Sequence, residues 1–149
     1  MDIAQDGAAG RLRNLPTRLI NQAALVANRA TERALAPTGS RRYHFALLAT
    51  LAEFGAASQA ELGRHTRIDR SDVVAAVNDL AERDLVARSP DLADRRRNIV
   101  TLTVEGARHL DELDARLAGA QDELLAGLTV ADRRTLVELL TRIVDAHSG

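Results

Sequence analysis

Two β-type segments that flank a basic loop, between residues 85 and 106, constrain the fold of this chain more than any other feature. The segments run from Leu85 to Arg88 and from Asn98 to Thr103, and β-branched residues in the second favour a strand. Between them, Pro90 and Asp91 are turn residues that a central strand does not tolerate. Three consecutive arginines, residues 95 to 97, follow this turn. The stretch therefore predicts a β-hairpin with a cationic tip, and arginines on such a tip can reach a phosphate backbone or a narrow minor groove.

The residues before the hairpin help to decide between this interpretation and a basic loop that is only solvated. Ser58 to Glu61 has the pattern of a capping box, and Leu62 follows as the first buried residue of a short helix. Asp69 is a good N-cap for a second helix, with Asp72 three positions on, and an apolar stripe runs through about Arg83. Two short helices followed by a hairpin are the parts of a winged helix-turn-helix, whose second helix enters the major groove of DNA.

The most specific pattern in the chain is an aspartate and two arginines in the wing, followed by leucine and threonine and by a glycine three residues later. The residues of this pattern and of the second helix that agree with it are Asp69–Ser71, Val73, Val77, Leu80, Asp94–Arg96, Leu102–Thr103 and Gly106. Together they resemble the MarR family of transcriptional regulators. The resemblance covers about residues 11 to 146, and it implies an obligate homodimer that binds a pseudo-palindromic operator and is often released by a small molecule.

Apolar periodicity predicts further helices on both sides of the winged lobe. One amphipathic helix is expected from Arg11 to about Leu35, and Pro37 and Gly39 break it. A second helix is expected over residues 41 to 54, with its inward side formed by Phe45, Leu48, Ala49 and Ala52. Residues 56 and 57 are too few to assign, although a short third strand pairing with the wing fits the fold.

A long helix and a last helix are predicted after the wing. Thr103 caps the long helix, which runs to about Ala126 and carries a short heptad seam formed by Leu110, Leu113, Leu117, Ala120 and Leu124. A capping box at residues 129 to 132 starts the last helix. The seam indicates an interface in which the first and last helices of two chains interlock, but an intramolecular bundle explains the same pattern.

These elements predict a mainly α fold with a small β-hairpin wing, in which a winged helix-turn-helix lobe joins a helical dimerisation lobe. Residues 1–10 are expected to form a mobile tail. Residues 11–35 and 104–147 are expected to form the dimerisation region, and residues 36–103 the DNA-binding domain. The 149 residues suffice for one domain, or for two lobes that share a core.

Composition excludes several classes of protein. Cysteine is absent, so disulfides and thiol redox switches are excluded. No apolar run approaches transmembrane length and the N-terminus has no signal-peptide pattern, so we expect a cytoplasmic protein that is not bound to a membrane. The net charge is only −1, but it is unevenly distributed: residues 41–97 hold ten arginines and nine acids, whereas residues 104–149 hold five arginines and nine acids. Binding of nucleic acid should therefore depend on symmetry and base contacts more than on a strong general field.

The second short helix is the predicted reading helix, and only its first two turns can reach bases. Its outer side on a helical wheel is Ser71, Asp72, Ala75, Asn78, Asp79 and Glu82, and its candidate DNA contacts are Arg70, Ser71, Asp72, Val74, Ala75 and Asn78. We expect Asp72 to accept a hydrogen bond from a cytosine amino group, and Val74 or Ala75 to touch a thymine methyl. Ser71 and Arg70 would bond phosphate or base. Alternatively, Asp72 only stabilises the helix terminus, as the third residue of a capping box.

The wing residues have different expected roles. Asp94 and Arg96 carry over from the family pattern, and Asp94 should orient an arginine because a free carboxylate beside phosphates would be repelled. Arg96 is then the expected wing-tip contact, with Arg95 or Arg97 on phosphate. Two arginines near the helix-turn-helix turn, Arg64 and Arg67, are expected phosphate clamps, although simple surface solvation explains them too.

The resemblance also implies an effector pocket between the dimer helices and the winged lobe. Mapped onto this chain, its lining is Arg18, Asn21, Gln22, Leu25, Tyr43, His44 and Leu47. Aromatic residues are 2% of the chain, so a large planar ligand would have few rings to stack on. His44 and Arg18 could bind a carboxylate, or they could be an interhelical residue and a surface charge.

No enzyme is expected, since nucleophile motifs and phosphate-cradling glycine loops are absent. The four histidines have no metal-ligand spacing, and no cofactor or metal is expected. The sequence thus predicts a homodimeric DNA-binding regulator, a repressor released by a small-molecule effector. The alternatives are a winged-helix protein-interaction module with little DNA affinity and, third, a metal-responsive regulator.

Overall fold

Residues 7–148, which the computed structural model describes, form seven α-helices, one 3-10 turn and a small three-stranded sheet. In chain order these are α1 Gly10–Arg13, α2 Pro16–Leu35, the 3-10 turn Ala36–Thr38, α3 Arg42–Phe54, β1 Ala57–Ser58, α4 Gln59–Thr66, α5 Arg70–Glu82, β2 Val86–Pro90, β3 Asn98–Leu102, α6 Val104–Leu124 and α7 Val130–Ala146. The predicted fold class is confirmed. Residues 1–6 of the predicted mobile tail lie outside the described residues, and residue 10 already belongs to α1.

The hydrophobic core lies between α3, α4, α5, the sheet and the first half of α6. Fully buried aliphatic side chains from each part meet there, among them Leu47, Leu62, Leu80, Val100 and Leu113. The predicted inward residues of α5, at positions 73, 77 and 80, all belong to this core. Because α4 and α5 bury their inner sides in this way, their outer sides are held rigidly at the surface.

The sheet has the order β1-β3-β2, and both pairs are antiparallel. Ala57 pairs with Val100, so the third strand that the fold suggested is present. The expected end of the first wing strand at Arg88 was wrong, because β2 continues to Pro90, opposite Asn98. Proline is tolerated there since β2 is an edge strand and residue 90 is its last.

The first predicted helix, residues 11–35, is not continuous. The short α1 ends at Arg13, and Leu15 has an extended backbone before α2 begins at Pro16. Proline disfavours helical geometry at the residue before it, and it lacks the N–H that a helix interior needs. Pro16 therefore serves as the first residue of α2 rather than as an interior one.

The inward side of α3 also differs in part from the prediction. Leu48 is buried as expected, and Phe45 and Ala49 pack against the core, but Ala52 is exposed. Leu51 takes the inward position in the last turn instead. Since each helical residue is rotated by about 100° from the one before it, Ala52 points away from the core.

The two long helices α2 and α6 pack against each other, and α6 also packs against α3. Leu110, Leu113 and Ala120 of the predicted seam are buried in this way, so an intramolecular contact explains most of it. In contrast, α7 has no buried residue among those described, and Ile143 on its apolar side is 46% exposed. Leu19 on the outer side of α2 is 48% exposed.

Gly106 allows α6 to begin directly against the base of the wing. A Cβ atom at this position would lie 1.9 Å from the backbone oxygen of Leu85 and 2.8 Å from Cδ1 of Leu102. Both distances are shorter than van der Waals contact, and one of the atoms is backbone. The glycine of the family pattern is therefore required by close packing.

We expect Gly106→Ala to lower the free energy of unfolding by about 2–3 kcal/mol, because α6 must move away from the wing. The matched control is Gly119→Ala in the same helix, where nothing lies within 4 Å of the added carbon. That change should raise stability by roughly 0.5–1 kcal/mol through helix propensity. Chemical denaturation measures both, and equal effects of the two substitutions would contradict the packing argument.

Candidate nucleic-acid interface

The helix-turn-helix begins at a complete capping box on α4. Ser58 Oγ accepts a hydrogen bond from the backbone N–H of Glu61 at 3.1 Å, and Glu61 Oε1 accepts from the hydroxyl of Ser58 at 3.0 Å. The backbone N–H of Ser58 also donates to Oε1 of Glu61 at 3.4 Å. The bond from the Ser58 hydroxyl, and then the one from its backbone N–H, hold the pKa of Glu61 below its ordinary value. The helix ends at Arg67, whose φ of 58° is left-handed, and α5 begins three residues later. The predicted capping box is confirmed.

The N-terminus of α5 lacks the second predicted capping box. Asp69 is the N-cap residue, but its side chain makes no capping hydrogen bond. Among the described residues, no hydrogen bond joins the Asp72 carboxylate to the end of the helix either, and Asp72 is only half-buried. The structure therefore does not support the capping role for Asp72, and it leaves the carboxylate available at the surface.

The candidate contact residues of α5 lie on one side of the helix. Arg70, Ser71, Ala75 and Asn78 are exposed, and Asp72 and Val74 are half-buried beside them. Asp79 does not belong to this side, contrary to the helical-wheel prediction. Its carboxylate lies 3.1 Å from Nε2 of His44 and 3.3 Å from Nη1 of Arg83, so it faces α3.

Arg88 was not identified as a site residue from the sequence. Its Nη1 donates to Oδ1 of Asn78, which connects β2 of the wing to the outer side of α5. The sequence carries no signal for this contact, since an exposed arginine on a strand can point to many partners. The contact places the wing and the reading helix side by side.

At the tip of the wing, Asp94 and Arg96 form a local pair. Asp94 Oδ1 accepts from the backbone N–H of Arg96 at 3.1 Å and from its Nε at 3.2 Å. These two bonds, the backbone one first, lower the pKa of Asp94. The side chain of Arg96 is nevertheless 92% exposed. Asp94 therefore orients the guanidinium of Arg96 through Nε, while most of the side chain stays open to solvent.

The other two wing arginines differ from Arg96 and from each other. Nη2 of Arg97 donates to Oε1 of Glu61 at 3.1 Å, and its Nε lies 3.7 Å from Oδ2 of Asp91. Arg97 thus fastens the wing to the capping box of α4. Arg95 is exposed and has no ion pair with any residue in the described range 7–148.

Of the two expected phosphate clamps, Arg64 is exposed on α4. Arg67 is exposed as well, but its Nη1 donates to the hydroxyl of Ser148, just beyond α7. A contact of Arg67 with phosphate would need this bond to open, so Arg64 is the more accessible of the two.

An open cleft beside α2 lies away from most of the expected effector residues. It has a volume of about 680 Å³ and is lined by Asn28, Thr31, Glu32, Ala36, Gly39, Ser40, Arg41, Arg42 and Tyr43. Of the expected effector residues, Tyr43 alone is part of this lining. Leu47 is fully buried and His44 nearly so, whereas Asn21, Gln22 and Leu25 are exposed on α2.

Residues 7–148 contain no cluster of three or more histidine, aspartate or glutamate side chains arranged to hold a metal ion. None of their helices combines the length and the apolar character that a membrane span needs.

Comparisons with known proteins agree with this geometry. A sequence profile of the MarR family matches residues 38–97, which contain α3, α4, α5 and the wing as far as its arginine tip, ending just before β3. The repressor NicR of Pseudomonas putida is 34% identical over 105 residues, which are 70% of this chain and 66% of NicR. The matched segment thus spans just under two thirds of that relative.

Two solved structures extend the similarity over nearly the whole chain. A probable transcriptional regulator from Pseudomonas aeruginosa has a TM-score of 0.81 and 30% identity, and the match covers 89% of this chain and 99% of that one. BpsR of Bordetella bronchiseptica, whose DNA binding is regulated by 6-hydroxynicotinic acid, has a TM-score of 0.83 and 26% identity, with 93% and 99% covered. With the wing pattern, the helix-turn-helix and these similarities in agreement, the chain belongs to the MarR family of transcriptional regulators.

Proposed function

We propose that this protein is a homodimeric repressor that binds double-stranded DNA at a pseudo-palindromic operator. The observation that carries the proposal is the exposed guanidinium of Arg96 on a wing that is joined to the reading helix through Arg88 and Asn78. With α5 in the major groove, a wing fixed in this way reaches the neighbouring backbone or minor groove. The similarity to the repressor NicR supports repression over activation.

The proposed base contacts come from the first two turns of α5. Asp72 accepts from a cytosine amino group, and Val74 or Ala75 touches a thymine methyl. The absence of a capping bond to Asp72 within the described residues supports the first assignment. Arg70 and Ser71 bind phosphate or base at the N-terminal end of the helix.

Phosphate contacts supply the part of the affinity that does not depend on sequence in this proposal. Arg95 and Arg96 act from the wing, and Arg64 acts from α4. Arg97 instead holds the wing in place, because its guanidinium already donates to Glu61 and forms an ion pair with Asp91. The affinity of one winged domain for one half-site remains modest in this proposal. The dimer must therefore bind two linked half-sites.

The dimer forms through apolar side chains that a single chain leaves exposed. On α7 these are Leu139, Leu140, Ile143 and Val144. Near the N-terminus they are Leu12 of α1, Leu15 between the two helices, and Leu19 and Val26 of α2. Apolar areas of this extent on a small chain are typical of protein interfaces. Residues 11–35 and 104–147 thus form the proposed dimerisation region, and α6 connects it to the winged domain, residues 36–103.

A small carboxylate is the proposed effector, and the 680 Å³ cleft is its proposed site. Arg42 lies in the cleft, donates to Oδ1 of Asn28 at 2.9 Å, and lies over the ring of Tyr43 at 5.1 Å. A guanidinium beside a ring suits an aromatic acid. The regulation of the similar protein BpsR by 6-hydroxynicotinic acid supports this class of ligand.

Arg96→Ala should weaken operator binding about tenfold and reduce the salt dependence of log K by about 1 for each wing, because a phosphate contact is lost. The matched control is Arg97→Ala in the same loop, which should leave the salt slope near that of the wild type. Fluorescence anisotropy at several salt concentrations measures both. Equal slopes for the wild type and Arg96→Ala would remove Arg96 from the interface.

Selection from a random duplex library tests the function itself. The enriched sequence should be an inverted repeat with half-site centres about 10 base pairs apart, the spacing of two reading helices on one side of DNA. Ile143→Glu should yield a monomer that no longer binds this sequence, as light scattering and anisotropy would measure. Thr141→Glu adds the same charge to the opposite side of α7 and should remain a dimer.

The outcome of the selection separates the two functions that the sequence suggested. A folded dimer that enriches no sequence would favour a winged-helix protein-interaction module. A wild-type protein that is monomeric at micromolar concentration would contradict the proposed assembly.

For the effector, 6-hydroxynicotinic acid is the first probe. At a hundred times its dissociation constant, a ligand raises the free energy of unfolding by about 2.7 kcal/mol, which thermal shift detects. Arg42→Ala should abolish the shift, whereas Arg29→Ala, an exposed arginine of α2 outside the cleft, should retain it. If Arg42→Ala keeps the full shift, the ligand binds elsewhere.

A further inference from the structure

The C-terminal end of the reading helix is held by a group of polar side chains that the proposed DNA contacts do not use. We name this group the Arg83 cluster, and its members are Ser40, His44, Asp79, Arg83 and His109. Arg83, the C-cap of α5, donates from Nη1 to Oγ of Ser40 at 3.0 Å and from Nη2 to the backbone oxygen of Thr38 at 3.2 Å. Its Nη2 also lies 3.3 Å from Nε2 of His109 on α6. One guanidinium therefore joins α5, the turn before α3, and α6.

The contacts of His109 require a neutral ring. Its Nε2 lies 2.7 Å from Oγ of Ser40 and 3.3 Å from Nη2 of Arg83. The guanidinium can only donate, so Nε2 must accept and cannot carry a proton. The proton of the neutral ring is then on Nδ1, which faces Glu112 at 3.8 Å.

His44 on α3 is neutral for a similar reason. Its Nδ1 accepts from the backbone N–H of Arg41 at 2.8 Å, and its Nε2 donates to Asp79 at 3.1 Å. A second proton on this ring would point at the N–H of Arg41 and break the cap of α3. Both histidines of the cluster thus keep their hydrogen bonds only in the uncharged form.

Burial and the charge of Arg83 both favour the neutral forms of the two histidines. Burial, and then the nearby charge of Arg83, lower the pKa of His109, while Glu112 opposes them. Burial is also the largest cause that lowers the pKa of His44, followed by Asp79, which raises it, and then by Arg83, Arg41 and His109, which lower it. Since the unfolded rings have a pKa of about 6.5, the stability from their neutral forms is present above that pH. It is lost as the pH falls from there through the lower pKa values of the folded state.

We propose that Arg83 is a positioning residue for DNA binding, which fixes the end of the reading helix to the Thr38–Ser40 turn and to α6 only while His109 is neutral. The proposal rests on the proposed DNA-binding function. Because α6 leads to the proposed dimer region, this attachment sets the orientation of α5 relative to the second reading helix. Arg83 is itself 28% exposed and its donors are used within the chain, so it acts through α5 and not through phosphate.

The test compares operator affinity at pH 7.5 with the affinity at the lowest pH at which the protein stays folded, with the full-length protein and the duplex enriched by selection. Acidification adds positive charge to a protein, which by itself strengthens binding to DNA. The proposal requires the opposite sign for the wild type, with affinity falling about tenfold at the lower pH, where His109 becomes protonated. His109→Gln, whose amide oxygen accepts at every pH, should keep the affinity of pH 7.5 and lose the acid effect.

A matched control and a second variant make the result specific. His65→Gln removes a histidine whose ring stacks on Phe54, outside the cluster, and should retain the acid effect of the wild type. Arg83→Lys keeps the charge but cannot serve the same acceptors, so it should bind more weakly at both pH values with an unchanged salt slope. A salt slope lower by about 1 for each chain would show that Arg83 contacts phosphate instead.

Wild-type affinity that stays constant or rises at the lower pH would overturn the proposal, as would an acid effect that survives in His109→Gln. Absence of any operator binding at pH 7.5 would instead count against the proposed function. In that case acid unfolding still tests the cluster. The pH at the midpoint of acid unfolding should be lower in His109→Gln than in the wild type, and His65→Gln should not lower it.

Discussion

The contact on which the rest of the structure depends is the close packing around the backbone of Leu85. Its N–H donates to the oxygen of Leu80 at the end of α5, and its own oxygen accepts from the N–H of Thr103 before α6. The hydroxyl of Thr103 also donates to the oxygen of Asp84 at 2.7 Å, and Gly106 leaves room for α6 to approach. The reading helix, the wing and the long helix therefore start or end at one point. A change in the angle between any two of these elements would break contacts around Leu85. The lobe is therefore rigid, and the helices have fixed relative directions.

Much of this fold can be predicted from the sequence because its signals are local. The capping box at Ser58 and the buried stripe of α5 each depend on neighbours within a few positions, and both are confirmed. The errors came from competing local signals. Apolar spacing suggested one helix across Pro16, although the restriction that proline places on the preceding residue decides the outcome. Likewise, Ala52 fits an apolar stripe by spacing, but Leu51 occupies that side of α3.

The candidate site was less predictable, because its details depend on partners that are far apart in the chain. Three adjacent arginines look alike in the sequence, yet one is held by Asp94, one pairs with Glu61 across 36 positions, and one is exposed. Asp79 was placed on the outer side of α5 by periodicity, but His44 and Arg83 draw it towards α3. A helical wheel treats all polar residues as equally drawn to water, and it cannot represent a polar partner on another helix. The position of the open cleft depends in the same way on how α2 packs beside the turn that follows it.

The edge position of β2 has a consequence for the behaviour of the protein at high local concentration. The strand borders solvent along one side, and four of its five residues are exposed. An open strand of this kind is a template on which chains polymerise through backbone pairing. Pro90 removes one donor from that side, and the charged side chain of Arg88 disfavours the approach of an identical strand. At high concentration, copies of the chain are thereby protected against aggregation by the same short segment that supports the arginine tip.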